Sequence, residues 1–331
     1  MHAISVLGAG SFGTALAIHL ARRRSATLLW GRDAARMAAM QAARENTRYL
    51  PGCPFPAPLT ATADLADAVA QGEDLLIATP SDALRGTLDA VRPLLRAGQG
   101  IACACKGLEP GSGLLVHEVV RDALGEVPLV VISGPTFAKE LGMGLPTSVT
   151  VASRDSAFAD KIAHRLHGDG FRAYTADDLV GVEIGGAAKN VMAIAVGMAD
   201  GLNLGANTRA AVITRGLAEI MRLSEALGAR AETLMGLAGL GDLVLTCTDN
   251  QSRNRRLGLL LAQGKSVDAA RAEIGQAVEG VKAAPEVARL AKKHGVEMPI
   301  TEAVAGVLAG RLTPVQAVML LATRPRKAES D

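Results

Sequence analysis

The chain has 331 residues, of which 49% are hydrophobic and 21% charged, with a formal net charge of +2. That length exceeds what one hydrophobic core usually serves, so two domains are expected, each of ordinary globular composition. A near-neutral balance supplies no field for nucleic acid or an anionic membrane, and the basic runs Arg22-Arg23-Arg24 and Arg324-Pro325-Arg326-Lys327 read as solvated surface.

Short aliphatic runs predict strands at Ile4–Leu7, Thr27–Trp30, Leu75–Ala78, Ile101–Cys105, Leu129–Ile132 and Ser148–Val151. Ala/Leu-rich helical stretches such as Ser11–Arg24 and Asp82–Leu95 lie between them. Strands separated by helices indicate a parallel, doubly wound α/β sheet. Asn46–Pro58 carries four prolines and reads as a loop. From about Asp177 the strands give way to long helical segments, Val182–Ala199 and Thr208–Leu227 first among them. The chain is therefore expected to fold as a Rossmann-like domain, 1–180, followed by an all-helical domain, 181–323. Residues 324–331 read as a disordered tail.

The first strand runs directly into Gly8-Ala9-Gly10-Ser11-Phe12-Gly13, a G-x-G-x-x-G turn opening a helix. The first glycine permits the tight turn, the second lets a diphosphate approach the backbone, and the third lets helix and strand pack closely. The helix start adds free N–H groups and a positive dipole end. After the second strand, Arg32 is placed either to stack on an adenine or to meet the 2′-phosphate of NADP, while Asp33, an acidic residue where NAD enzymes hold the ribose, reads rather as the N-cap of the next helix.

In the second half, Gly185–Ala199 contains one charged residue, Lys189, among small and aliphatic neighbours. Two readings stand: a buried lysine with a lowered pKa, suited to proton transfer, or a snorkelling lysine with its head in water. Lys106 follows the strand at Ile101–Cys105, where α/β sheets bind ligands, and Ser133-Gly134-Pro135-Thr136 follows the next strand in the same way. Asp242 sits alone in Gly239-Leu240-Gly241-Asp242-Leu243, either anchoring an ammonium or capping a helix. Ser252-Arg253-Asn254-Arg255-Arg256 opens a helix with groups suited to a phosphate. The four cysteines match no zinc, redox or disulfide spacing, and the six histidines gather no ligand set. No metal is expected, and a reduced, cytoplasmic compartment is. No leader precedes the first strand and no apolar run reads as a membrane span, so neither secretion nor membrane insertion is expected.

Four stretches together resemble one family, the bacterial NAD(P)-dependent glycerol-3-phosphate dehydrogenases. They are Gly8–Ala17, Ser133–Glu140, Ala188-Lys189-Asn190 running on to Gly216–Glu219, and Gly236–Gly258 (GLAGLGDLVLTCTDNQSRNRRLG). The resemblance implies that Lys189 is the proton donor and acceptor. It further implies that Lys106, Gly134, Thr136, Asp242, Ser252, Arg253 and Asn254 contact dihydroxyacetone phosphate or sn-glycerol 3-phosphate. Ser11, Phe12, Arg32, Lys106, Ala138, Arg253, Ala277 and Glu279 match positions that touch NADP(H) or NAD(H). Phe12 departs from the family's frequent tryptophan, and Ala277 from its larger aliphatics. The resemblance also implies a role in membrane-lipid synthesis; a homodimer is expected separately, because helical second domains often dimerise. Two other readings remain: a dehydrogenase of the 6-phosphogluconate or hydroxyacid type, and a redox-sensing module. The adjacent Lys189-Asn190 and the Ser252-Arg253-Asn254 turn argue against the former, and the lack of a basic DNA-reading helix against the latter.

Overall fold

A computed structural model describes residues 4–23 and 25–325. The first half alternates strand and helix: β1 (Ile4–Leu7), α1 (Ser11–Arg22), β2 (Thr27–Trp30), α2 (Ala34–Ala43), β3 (Leu59–Thr62), α3 (Leu65–Gln71), β4 (Asp74–Ile77) and α4 (Ser81–Val91). It continues through β5 (Ile101–Cys103), α5 (Val116–Leu124), β6 (Leu129–Ser133), α6 (Ala138–Met143), β7 (Thr147–Ala152), α7 (Ser156–Leu166) and β8 (Phe171–Ala176). The strands form one eight-stranded sheet in the order β3-β2-β1-β4-β5-β6-β7-β8. Central strands such as β1 and β4 are buried along their whole length, as strands covered by helices on both faces must be.

Two differences from the expected sheet have physical causes. β7 runs antiparallel to β6, a direction that an aliphatic run does not encode. β3 and β8 lie at the two edges and are partly exposed, so neither shows a continuous hydrophobic run.

The second half is helical. It contains α8 (Leu179–Gly201), α9 (Gly205–Ala226), α10 (Ala231–Met235), a π-helical turn at Leu237–Gly241, α11 (Asp242–Thr248), α12 (Arg253–Ala262), α13 (Val267–Ile274), α14 (Gly280–Lys293), α15 (Pro299–Leu308) and α16 (Pro314–Ala322). Its core gathers around α8 and is built from small aliphatic side chains, among them Ile184, Val191, Ile194, Leu257 and Val287. α8 is long and apolar enough to cross a membrane, yet 89% of its apolar window is buried inside the protein. α8 and α12 cross at glycines: a Cβ on Gly197 would stand 2.1 Å from the Arg255 carbonyl oxygen, and one on Gly258 2.2 Å from that of Ile194. This approach sets the start of α12 against the middle of α8.

The basic runs are not simply solvated. Arg22 donates to the Leu141 carbonyl at 3.3 Å and to that of Gly142. Arg324 reaches the Glu297 carboxylate at 3.2 Å. Arg24 and residues 326–331, most of the expected tail, lie outside the described residues.

Candidate active site

The glycine turn fits a dinucleotide diphosphate. Gly8 has a φ of +125°, and a Cβ there would stand 2.7 Å from the Ala78 carbonyl oxygen. A Cβ on Gly13 would stand 2.0 Å from the Gly8 carbonyl oxygen. Both positions thus require glycine for the protein's own packing. Gly10 is different, because a Cβ there would meet nothing within 4 Å. It is the N-cap of α1 and brings no capping side chain, so the first-turn N–H groups remain free for an anion. At the end of β2, Arg32 is exposed and Asp33 caps α2, accepting from the Arg36 amide at 3.0 Å.

Lys189 stands at the middle of α8 and is buried, with 7% of its surface exposed. Its Nζ donates to Asp242 Oδ1 and, at 3.0 Å, to Thr246 Oγ1. The snorkelling reading is thereby set aside. Asp242 is fully buried at the start of α11, directly after the π-helical turn. Lys106 reaches its other oxygen, Nζ to Oδ2 at 2.6 Å, and also donates to the Gly134 carbonyl at 3.0 Å. The same ammonium lies 5.9 Å from the centre of the Phe12 ring. One carboxylate therefore serves two ammonium groups.

Burial pulls the Lys189 pKa down to about 8, against the attraction of Asp242 and with a further push from Lys106. For Asp242, burial alone would raise the carboxyl; the two lysines outweigh it and hold its pKa below the usual range. The result is a lysine that changes charge near neutral pH beside a carboxylate that stays ionised.

On α12, Ser252 is the N-cap and its Oγ accepts from the Arg255 amide at 3.2 Å. Asn254 Nδ2 donates to Asn190 Oδ1 at 2.8 Å, and its Oδ1 accepts from the Gly280 amide at 2.9 Å. Asn190 Nδ2 in turn donates to Glu279 at 3.3 Å. This amide chain ties α8, α12 and the start of α14 together, and it leaves one N–H of Asn254 for a ligand.

These groups surround a cleft of about 390 Å³ between the sheet and the helical half. From the sheet side it is lined by Ser11, Phe12, Lys106, Thr136 and Ala138. From the helical side it is lined by Lys189, Asp242, Ser252, Arg253, Asn254 and Glu279. The Thr136 hydroxyl is buried there with no hydrogen-bond partner. Gly134 offers its carbonyl to Lys106 rather than a surface of the cleft. Arg32 and Ala277 are exposed outside the lining, although Gln276 beside Ala277 belongs to it. Sequence reasoning assigned no role to Asn190 or Thr246. Thr246 lies one turn beyond Asp242, so a helix from Asp242 would have put both on one face. Among the described residues, no group of three or more His, Cys, Asp or Glu side chains gathers as a metal site.

Comparison with known proteins agrees across the whole length. Residues 3–159 match the family model for the N-terminus of NAD-dependent glycerol-3-phosphate dehydrogenase, and residues 178–319 match that for its C-terminus. A protein of Xanthomonas euvesicatoria pv. vesicatoria (strain 85-10), named glycerol-3-phosphate dehydrogenase (NAD(P)+), is 56% identical over 329 residues, covering 99% of this chain and 96% of its own. A protein of the same name from Stenotrophomonas maltophilia (strain R551-3) is also 56% identical, covering 98% and 96%. The crystal structure of glycerol-3-phosphate dehydrogenase from Coxiella burnetii superposes with a TM-score of 0.95 at 50% identity, covering 98% of this chain and 99% of the other. D-mandelate dehydrogenase, at 15% identity and a TM-score of 0.66, shares the fold alone. Matched by both halves of one family's model and by relatives of more than half identity, the chain belongs to the NAD-dependent glycerol-3-phosphate dehydrogenases.

Proposed function

We propose that the protein reversibly reduces dihydroxyacetone phosphate to sn-glycerol 3-phosphate with NADPH or NADH, and so feeds glycerophospholipid synthesis. In this reading, residues 1–180 supply the dinucleotide cradle and residues 181–323 the reacting lysine and the substrate-phosphate groups, and each half lends side chains to the other's ligand across the cleft. The diphosphate rests on Gly8, Gly10, Gly13 and the start of α1, with Ser11 and Phe12 beside it and Arg32 at the adenosine end. Ala138, Arg253, Ala277 and Glu279 complete the cofactor contacts. The open space at Gly10 and the uncapped helix start support this placement.

The observation that carries the reading is the buried Lys189 ammonium sharing Asp242 with Lys106 at the cleft. When bound, the nicotinamide supplies the hydride in the reduction and takes it back in the oxidation. Lys189 gives the Nζ proton to the ketone oxygen as negative charge builds there, and removes it from the hydroxyl in reverse. Asp242 and Thr246 hold the lysine in place, and Lys106 keeps a second positive charge near the developing oxyanion. Gly134 and Thr136 flank the substrate, while Ser252, Arg253 and Asn254 hold its phosphate. That remote grip orients the ketone carbon and contributes to the rate without touching the reacting bond.

The reading extends to a homodimer in the cytoplasm. Support for the dimer is the apolar surface on α16, where Val315, Met319 and Leu320 are exposed. Support for the compartment is that all four cysteines are free and buried. Sedimentation of the purified protein tests the dimer. The reaction is tested by following NADPH absorbance with and without dihydroxyacetone phosphate. Consumption that requires the phosphorylated ketone is expected; none with either cofactor contradicts the proposal.

A further inference from the structure

We infer that Arg256 is a substrate-phosphate ligand, a second guanidinium in the pocket headed by Arg253; this rests on the reaction proposed above. Arg253 and Arg256 are three residues apart on α12 and so share a helix face. Both line the cleft. Arg255, between them, points elsewhere and pairs with Asp200 at 2.6 Å.

Among the described residues, no carboxylate pairs with Arg256. Its Nε is buried and has no hydrogen-bond partner. The cleft has two carboxylates, and both are engaged: Asp242 by Lys106 and Lys189, Glu279 by Asn190. A buried guanidinium nitrogen with no partner is costly, and the cost vanishes when a phosphate oxygen meets it. A dianionic phosphate held between two planar forks is also fixed in direction, which a single fork does not achieve. Substrate phosphate and cofactor diphosphate are alike in this chemistry. The substrate is favoured because Arg256 lies on the same turn of α12 as Ser252, Arg253 and Asn254, whereas the open cradle at Gly10 is the N-cap of α1 in the other half.

The test compares Arg256→Gln and Arg256→Lys with the wild type on dihydroxyacetone phosphate and on dihydroxyacetone. Arg256→Gln should lower kcat/KM for the phosphorylated ketone about ten- to a hundredfold. It should leave kcat/KM for dihydroxyacetone, KM for NADPH and Tm essentially unmoved. Arg256→Lys should recover part of the loss, since it restores the charge but not the fork. Equal losses on both ketones in both variants, or a rise in KM for NADPH, overturns the assignment. Absence of wild-type turnover of dihydroxyacetone phosphate overturns the reaction itself; normal turnover by Arg256→Gln overturns only the role of Arg256.

Discussion

The Lys106 ammonium and the Asp242 carboxylate stand 2.6 Å apart, joining the end of the sheet to the helical half across the cleft. The other oxygen of Asp242 holds Lys189, so the charge of Lys106 is felt at Lys189. This geometry makes the proton affinity of Lys189 adjustable from two directions.

Opposite shifts are therefore expected in the pH profile. Reduction needs Lys189 protonated, so kcat/KM should fall as pH rises through about 8, and oxidation should rise over the same range. Asp242→Asn removes the group that favours the ammonium and should move both limbs to lower pH. Lys106→Met removes a like charge and should move them to higher pH. Shifts of the same sign in the two variants would contradict the arrangement.

Gly10 and Gly13 should respond differently to alanine. Gly13→Ala forces a Cβ to 2.0 Å from a backbone oxygen and should cost about 1–3 kcal/mol or more of stability. Gly10→Ala meets no protein atom within 4 Å, so Tm should hold while KM for NADPH rises. Thermal melts with and without NADPH separate the two effects.

Gly197→Ala would place a Cβ 2.1 Å from the Arg255 carbonyl oxygen and push α12 away from α8. Because Asn254 and Asn190 meet across that crossing, KM for dihydroxyacetone phosphate should rise together with a fall in Tm. A lowered Tm with an unchanged KM would show that the crossing does not position the phosphate helix.

Glu219 on α9 accepts from the Ile300 amide at 2.6 Å and the Thr301 amide at 3.2 Å, and so caps α15. Burial pushes its pKa from the ordinary 4.5 to about 7, despite these hydrogen bonds. The folded protein thus binds this proton more tightly than the unfolded chain. The associated stability is present below about pH 4.5 and is lost as pH rises through about 7, on the order of 3 kcal/mol. Glu219→Gln should flatten Tm against pH across that window; an unchanged slope would contradict the assignment.

The parts of the site legible in the sequence are those where a residue type breaks its surroundings. Gly8, Gly10 and Gly13 interrupt a strand-to-helix transition, and Lys189 is the lone charge in an apolar helix. Ser252 begins a helix with three arginines in its first turn. Asn190 stood out only as the neighbour of Lys189, and Thr246 not at all, because their roles depend on which partners folding brings near. The same holds for the sheet edges. β3 and β8 are recognised in space by pairing with β2 and β7, not by a hydrophobic run of their own. The reversal at β7 is likewise a property of the pairing.

The most direct test of the central claim is the rate of hydride transfer in Lys189→Met, measured in a single turnover with NADPH and saturating dihydroxyacetone phosphate. The rate should fall by about a hundredfold or more while NADPH binds with unchanged Kd. A near-normal rate would mean that Lys189 does not carry the proton.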